Sequence, residues 1–208
     1  MSTTTNLNTI RHAHTEYNAQ RRYAGRRDIP LSETGIQDAR KAAADLVQIR
    51  FDLVITSPLA RAVQTAEVFA NGQVPVQTCD LCTERDFGTL EGLTWDEVRN
   101  LQPPVLLIQV GYDLHTVNPR GAEAFEDVWQ RAREFRKLLF EQHKGLEILI
   151  VSHGVFLQLF NGLLRGLNCI ESLAFFPGNL ELNRFQFEDE RLVGQSTRRL
   201  GSEEIVSW

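Results

Sequence analysis

No stretch of this sequence holds the roughly 18–20 consecutive apolar residues that a membrane-spanning helix needs, so no membrane partner is expected. The opening residues Met1-Ser2-Thr3-Thr4-Thr5-Asn6 lack the charged-then-apolar pattern of a secretory leader. Cysteine is scarce, with three residues, which fits a reducing compartment, and the expectation is a cytoplasmic protein. Cys79 and Cys82 do form a CxxC. No second CxxC accompanies it, Cys169 is remote, and no redox-type helix opening follows, so the pair reads as ordinary packing. Positive charge is not in excess either. The net charge is −5, so no overall basic field invites nucleic acid. There is no internal repeat, low-complexity tract or linker.

What is present is an ordinary globular composition, 42% apolar and 24% charged. A length of 208 residues is near the upper end for one domain and short for two, so residues 1–208 read as a single domain. Strand and helix patterns alternate. Asn6–Arg11 reads as a rather polar strand. Residues 32–50 read as a helix, with Ser32 as N-cap and Ile36, Ala39, Ala43, Leu46 and Val47 at helical spacing. Asp52–Thr56 reads as a buried strand, followed by a helix to about Ala70 with Pro58 in its first turn. A short strand fits Val74–Thr78. Glu123–Gln142 carries an apolar stripe of Phe125, Val128, Trp129, Ala132, Phe135 and Leu139. Glu147–Val151 is a second buried strand, with a helix over His153–Leu164 directly behind it. Leu180–Phe187 alternates in the strand manner and is expected at a sheet edge. This order predicts an α/β three-layer sandwich, a mostly parallel central sheet with helices on both faces. Residues 87–122, rich in Pro and Gly, break the rhythm and read as an insertion that roofs a site.

In such sheets function collects at the carboxyl ends of the strands. Three strand ends stand out: Arg11-His12-Ala13-His14-Thr15, Thr56-Ser57-Pro58-Leu59-Ala60-Arg61 and Ser152-His153-Gly154. Each carries Arg or His where a core would not ask for an expensive buried charge. If they converge, two arginines and two histidines form an anion hole. Arginine presents a planar fork of donors that matches phosphate oxygens, so a local cluster can bind phosphate even on an acidic protein. Helix N-termini at 58–61 and 153–156 would add N–H donors. Fixed cations around the equatorial oxygens supply most of the catalysis in phosphoryl transfer. A histidine in that hole acts as nucleophile if one ring nitrogen is unprotonated. A nearby carboxylic acid must protonate the leaving alcohol. Glu84 is the best placed, and Asp86 is two residues further on.

These pieces together resemble the histidine phosphatase superfamily, with its phosphoglycerate mutase-like fold, in its broad-specificity phosphatase branch. Arg11-His12-Ala13-His14-Thr15 resembles its RHGxT signature. Arg22-Tyr23-Ala24-Gly25 and Asp28-Ile29-Pro30-Leu31-Ser32-Glu33-Thr34-Gly35 look like its RxxG…DxPLTExG stretch. Ser57-Pro58-Leu59-Ala60-Arg61-Ala62-Val63-Gln64-Thr65-Ala66 looks like SPLxRAxQTA, Glu84-Arg85-Asp86-Phe87-Gly88 with Glu91-Gly92 is similar to E-x-x-F-G…E-G, and Ser152-His153-Gly154 closes the set. Five pieces in order over about 150 residues are far more specific than any one alone. The resemblance implies His12 as phosphoacceptor, with Arg11, Arg61, His153 and Asn18, and the Gly154 backbone, holding phosphoryl oxygens. It implies Glu84 as proton donor and then as base for water, and no metal or cofactor. Thr15, Gly25, Arg22, His14 and Arg120 are the expected substrate contacts, and the partner is a small phosphorylated metabolite. The arginines of the 21–27 run and of the roof point to a second negative group on it. Two positions depart from the pattern. Ala13 replaces the usual Gly, which matters only if that backbone needs a positive φ or a close ligand approach. His14 stands where Glu or Gln is common and adds charge beside the pocket.

Three other readings were weighed. A cofactor-primed phosphoglycerate mutase would share the pocket and differ only in the fate of the phosphohistidine. The segment between Glu84 and His153 is shorter than mutases of this family usually carry, which favours water access. A zinc hydrolase can also begin with His-x-His after a first strand. Here only His115, His143 and His153 remain, and Arg11 and Arg61 would repel a cation. A non-catalytic phosphate-binding module is disfavoured by the joint presence of His12, Arg61, Glu84 and His153.

Overall fold

The computed structural model describes residues 2–117 and 119–201. The strands are β1 (Thr4–Arg11), β2 (Leu53–Thr56), β3 (Val76–Thr78), β4 (Leu107–Val110), β5 (Asp113–Thr116), β6 (Glu147–Ser152), β7 (Glu181–Glu188) and β8 (Arg191–Arg199). The helices are α1 (Glu16–Ala19), α2 (Glu33–Leu46), α3 (Ala60–Ala70), α4 (Trp95–Arg99), α5 (Phe125–Gln142), α6 (Gly154–Leu164) and α7 (Cys169–Ser172). Among the described residues six strands form one sheet in the order β3-β2-β6-β1-β7-β8. The β3–β2, β2–β6 and β6–β1 pairs are parallel, and β7 runs antiparallel to both of its neighbours.

Alternation along the strands sorts the core into two layers. Leu53, Ile55, Ile148, Ile150 and Leu7 face α5 and α6, where Phe135, Phe156 and Phe160 pack. Val54, Leu149, Val151 and Ile10 face α2 and α3. The result is the predicted α/β/α sandwich. The polar first strand lies at the centre of the sheet because its polar side chains are satisfied there. Asn8 Nδ2 donates to Glu147 Oε1 (2.7 Å) and Ile148 O (3.1 Å), Thr9 Oγ1 to Asn161 Oδ1 (2.7 Å), and Thr5 Oγ1 accepts from Gly145 N (2.9 Å).

Four local expectations need correction. The second helix stops at Leu46 rather than running to 50, although Ser32 caps it as expected, its Oγ accepting from Gly35 N at 3.0 Å. Pro58 lies ahead of α3 instead of inside its first turn, because the Ser57–Leu59 turn, in which Leu59 N donates to Ser57 Oγ, comes first. The strand near 180–187 is not at the edge. β8 covers it through a tight turn in which Asp189 takes a φ of +56°. β8 itself went unread because its sequence, RLVGQSTRR, is polar and largely exposed, with no apolar alternation to announce it.

Residues 87–122, expected to roof a site, hold α4, capped by the reciprocal Thr94–Glu97 bonds, and the β4–β5 hairpin. Asn118 lies outside the described residues. Gly88 is needed where the roof turns back: its φ is +54°, and a Cβ there would strike the backbone of Arg120–Ala122.

Phe135 is fully buried and meets Phe156 and Phe160 with ring centroids 5.9 and 5.2 Å away. Phe135→Ala is expected to cost about 3–5 kcal/mol, read as a fall in the urea midpoint with an unchanged slope.

Candidate active site

The neighbouring strands β2, β6 and β1 end side by side, and their carboxyl ends deliver Ser57, His153 and His12 to one place. The backbone of His12 still bonds to β6, its N–H donating to Ser152 O at 3.0 Å. The two imidazole rings stand 5.2 Å apart at an interplanar angle of 59°. Arg61, from the first turn of α3, enters between the segments and donates its Nε–H to His12 Nε2 at 3.3 Å.

The protonation of His12 follows from its partners. Its Nδ1 lies 2.7 Å from the carbonyl oxygen of Ala13, which can only accept, so Nδ1 carries the proton. Nε2 is left with a lone pair. Burial above all, then the charges of Arg61 and Arg11, holds the His12 pKa well below the ordinary imidazole value. His12 is therefore an uncharged imidazole with its Nε2 lone pair facing a guanidinium. His153 is also fully buried, and burial, Arg61 and His12 push its pKa well down. Its Nε2 sits 2.7 Å from Ser57 Oγ, which already accepts from Leu59 N at 3.3 Å. The serine hydroxyl has two lone pairs and one proton, so it can meet Nε2 as donor or as acceptor. Nδ1 is buried with no protein partner among the described residues, a ring nitrogen open to a ligand.

Arg61 is 1% exposed and has no carboxylate within ion-pair distance among the described residues. Its Nη1 donates to Arg27 O (2.8 Å) and its Nη2 to Gly25 O (2.7 Å). Burial lowers its pKa to about 10, so it stays charged near neutrality. Three of its five N–H groups are held by the protein, which leaves two for an anion. Gly25 has a φ of +52°, and a Cβ there would run into the Glu91 carboxyl group, so no other residue suits the turn that presents this carbonyl. Arg11 donates from Nη1 to Pro177 O (3.0 Å), while its buried Nε has no partner among the described residues. The site therefore holds two cations without counter-ions and two neutral histidines, the composition expected of an oxyanion receptor.

Carboxylates are present at the helix N-termini, where they take several of the N–H groups expected to meet an anion. Glu84, 7% exposed, accepts from Arg85 N (2.9 Å), Phe156 N (3.1 Å) and Val155 N (3.3 Å), so it occupies the start of α6. Asp28 Oδ1 accepts from Ala60 N (2.7 Å) at the start of α3. Of the first turn of α6, Gly154 N–H makes no bond among the described residues.

The other predicted residues make contacts of their own. Thr15 and Asn18 form a capping box on α1, with Asn18 Oδ1 accepting from Thr15 N (3.0 Å) and its Nδ2 left without a protein partner. Arg22 binds the roof: Nη1 donates to Gly92 O (2.6 Å) and pairs with Glu97 at 3.5 Å. Arg26 reaches Glu123 (3.3 Å), and Arg27 donates to the Tyr17 hydroxyl (3.4 Å). His14 turns toward Asp38 on α2 at 4.0 Å. Arg120 is exposed, with only its backbone engaged. Ala13 is buried, has no positive φ, and donates its N–H to Thr65 Oγ1 at 3.1 Å, so the missing glycine costs nothing there. Sequence reasoning gave no role to Asn179, whose Nδ2 donates to His12 O at 2.7 Å, or to Phe176, stacked 5.0 Å from the Arg11 guanidinium. Both follow α7, 164 or more residues after His12, and no local signal links them to it. Ser57 lay inside a recognised motif but was assigned no function.

The histidines also set a stability profile. Folded pKa values far below the ordinary value of about 6.5 mean that the unfolded chain binds more protons in the window between them. Stability is then full above about pH 6.5 and falls as pH drops, by up to about 1.4 kcal/mol per pH unit for each histidine. His12→Asn and His153→Asn should each flatten the decline of the unfolding midpoint between about pH 6.5 and pH 5, measured against wild type.

Residues 7–198 match the family model described as histidine phosphatase superfamily (branch 1). The chain is 35% identical over 160 residues to the bifunctional protein Rv2228c of Mycobacterium tuberculosis, a match that takes in 73% of this chain and 42% of that protein. It thus spans less than half the length of that relative. It is 34% identical over 167 residues to a 2,3-bisphosphoglycerate-dependent phosphoglycerate mutase of a Methylobacterium species, covering 76% of this chain and 79% of the mutase. The solved structure of the alpha-ribazole phosphatase from Shigella flexneri superposes with a TM-score of 0.80 at 27% identity, over 98% of this chain and 100% of that one. The family model matches nearly the whole chain, and the sheet delivers that family's motif residues to one buried cationic site. This protein therefore belongs to branch 1 of the histidine phosphatase superfamily.

Proposed function

We propose that this protein hydrolyses phosphate monoesters of small metabolites through a phosphohistidine on His12, without a metal or other cofactor. The observation that carries this reading is the uncharged His12 Nε2 beside the unpaired cation Arg61. A phosphate dianion takes the Arg61 and Arg11 donors together with the Nδ1–H of His153, the N–H of Gly154 and the free Nδ2 of Asn18. The Arg61 Nε–H moves from His12 Nε2 to a phosphoryl oxygen and frees the lone pair. Nε2 attacks phosphorus as the ester P–O bond breaks, and the leaving oxygen takes a proton from Glu84. Glu84 then removes a proton from water, whose oxygen attacks phosphorus. The P–N bond electrons return to Nε2, and inorganic phosphate leaves. A carboxylate held by three N–H groups is well positioned for the second step.

The mutase reading is favoured by mutase relatives such as that of the Methylobacterium species. In that reaction the phosphohistidine passes its phosphoryl group to a second acceptor rather than to water. Incubation with 3-phosphoglycerate, with and without 2,3-bisphosphoglycerate, separates the two. Release of phosphate is expected, and interconversion well above that rate would replace the hydrolase reading. His12→Ala should lower kcat by about 10³-fold or more, because the nucleophile acts in the transition state, and should form no acid-labile phosphoprotein. Glu84→Gln should give a burst of one equivalent of nitrophenol from p-nitrophenyl phosphate followed by slow turnover. That leaving group needs no proton, whereas attack by water needs the base.

A further inference from the structure

The sequence points to a second negative group on the substrate, yet three of the arginines that would meet it are held elsewhere: Arg22 by Gly92 O and Glu97, Arg26 by Glu123 and Arg27 by the Tyr17 hydroxyl. The loop next to His12 and Arg11 carries the apolar run Ala174-Phe175-Phe176. The loop 174–179 is fastened to the site at three points: Pro177 O accepts from Arg11, Asn179 Nδ2 donates to His12 O, and the Phe176 ring packs on the Cα of Gly154. One side of that ring is taken by Arg11 and Gly154, yet the residue remains 40% exposed.

The position of this ring relative to the proton donor decides its use. Gly154 opens α6, and the next two N–H groups, of Val155 and Phe156, hold the Glu84 carboxyl group. A leaving oxygen must lie within hydrogen-bond reach of Glu84 to receive its proton. The Phe176 ring lies against Gly154, one residue before the N–H groups that hold this carboxyl group. Phe175 beside it is exposed, and the tip of the β4–β5 hairpin meets the same loop, with Gly111 against Ala174 and Tyr112 open to solvent.

We infer that Phe176 is a specificity-determining residue whose open side receives the alcohol, so that the protein favours phosphate monoesters of apolar or aromatic alcohols over those bearing a second acidic group. The inference rests on the hydrolase reading above. The stack on Arg11 holds the ring in place before the substrate arrives, so little freedom is lost when an apolar group settles on it. The same stack gives the ring no means to attract a carboxylate.

The test compares benzyl phosphate, ethyl phosphate and 3-phosphoglycerate, by phosphate release, in wild type, Phe176→Ala and Phe176→Leu. Wild type should show kcat/KM for benzyl phosphate at least about tenfold above that for 3-phosphoglycerate. Phe176→Ala should raise KM for benzyl phosphate about tenfold, with ethyl phosphate changed less than about twofold and Phe176→Leu in between. Equal losses on all three esters would mean that the ring acts only through Arg11, and would overturn the inference. So would a wild-type preference for 3-phosphoglycerate. In both cases continued phosphate release leaves the hydrolase reading standing. Absence of release from all three esters would overturn both.

Discussion

A buried guanidinium without a counter-ion is the constraint around which the rest of this structure is arranged. Arg61 is out of water and bound to two carbonyl oxygens and one imidazole nitrogen. Carbonyl dipoles satisfy hydrogen bonds but do not cancel a charge, so the site stays electropositive until an anion arrives. The same charge discourages protonation of His12 and His153. One residue thus makes the site electropositive and helps keep both imidazoles uncharged.

That arrangement survives only if carboxylates are kept off the arginines. The fold manages this with helix dipoles. Asp28 closes the start of α3 and Glu84 the start of α6, each held by N–H groups that would otherwise lack partners. Glu84 is thereby held at the start of α6, and among the described residues it forms no ion pair with either cation. Other arginines are held by partners of their own: Gly92 O and Glu97 bind Arg22, and Glu123, just past the 87–122 segment, binds Arg26 and Arg131.

The fold class was legible because buried strands and amphipathic helices leave strong periodic signals, as in Glu147–Ser152 and Phe125–Gln142. The identities at the site were legible because a charged or titratable residue at the end of an apolar strand has few structural excuses. Elements governed by hydrogen bonding rather than by apolar spacing were harder to read. The polar strand β1 reads as marginal, yet it is central because distant partners satisfy its Asn and Thr side chains. β8 has no apolar face and leaves no pattern at all.

The sequence by itself determined the architecture and singled out His12 and its cationic neighbours as the candidate site, since these depend on residue type and local spacing. Tertiary structure alone decided which nitrogen of His12 is free, which arginines face a ligand and which are tied to the roof, and what stands beside the leaving group. Those properties are set by partners such as Ala13 O, Gly25 O, Asn179 and Phe176, and a hydrogen bond or a stacked ring acts over a few ångströms of space, whatever the separation along the chain.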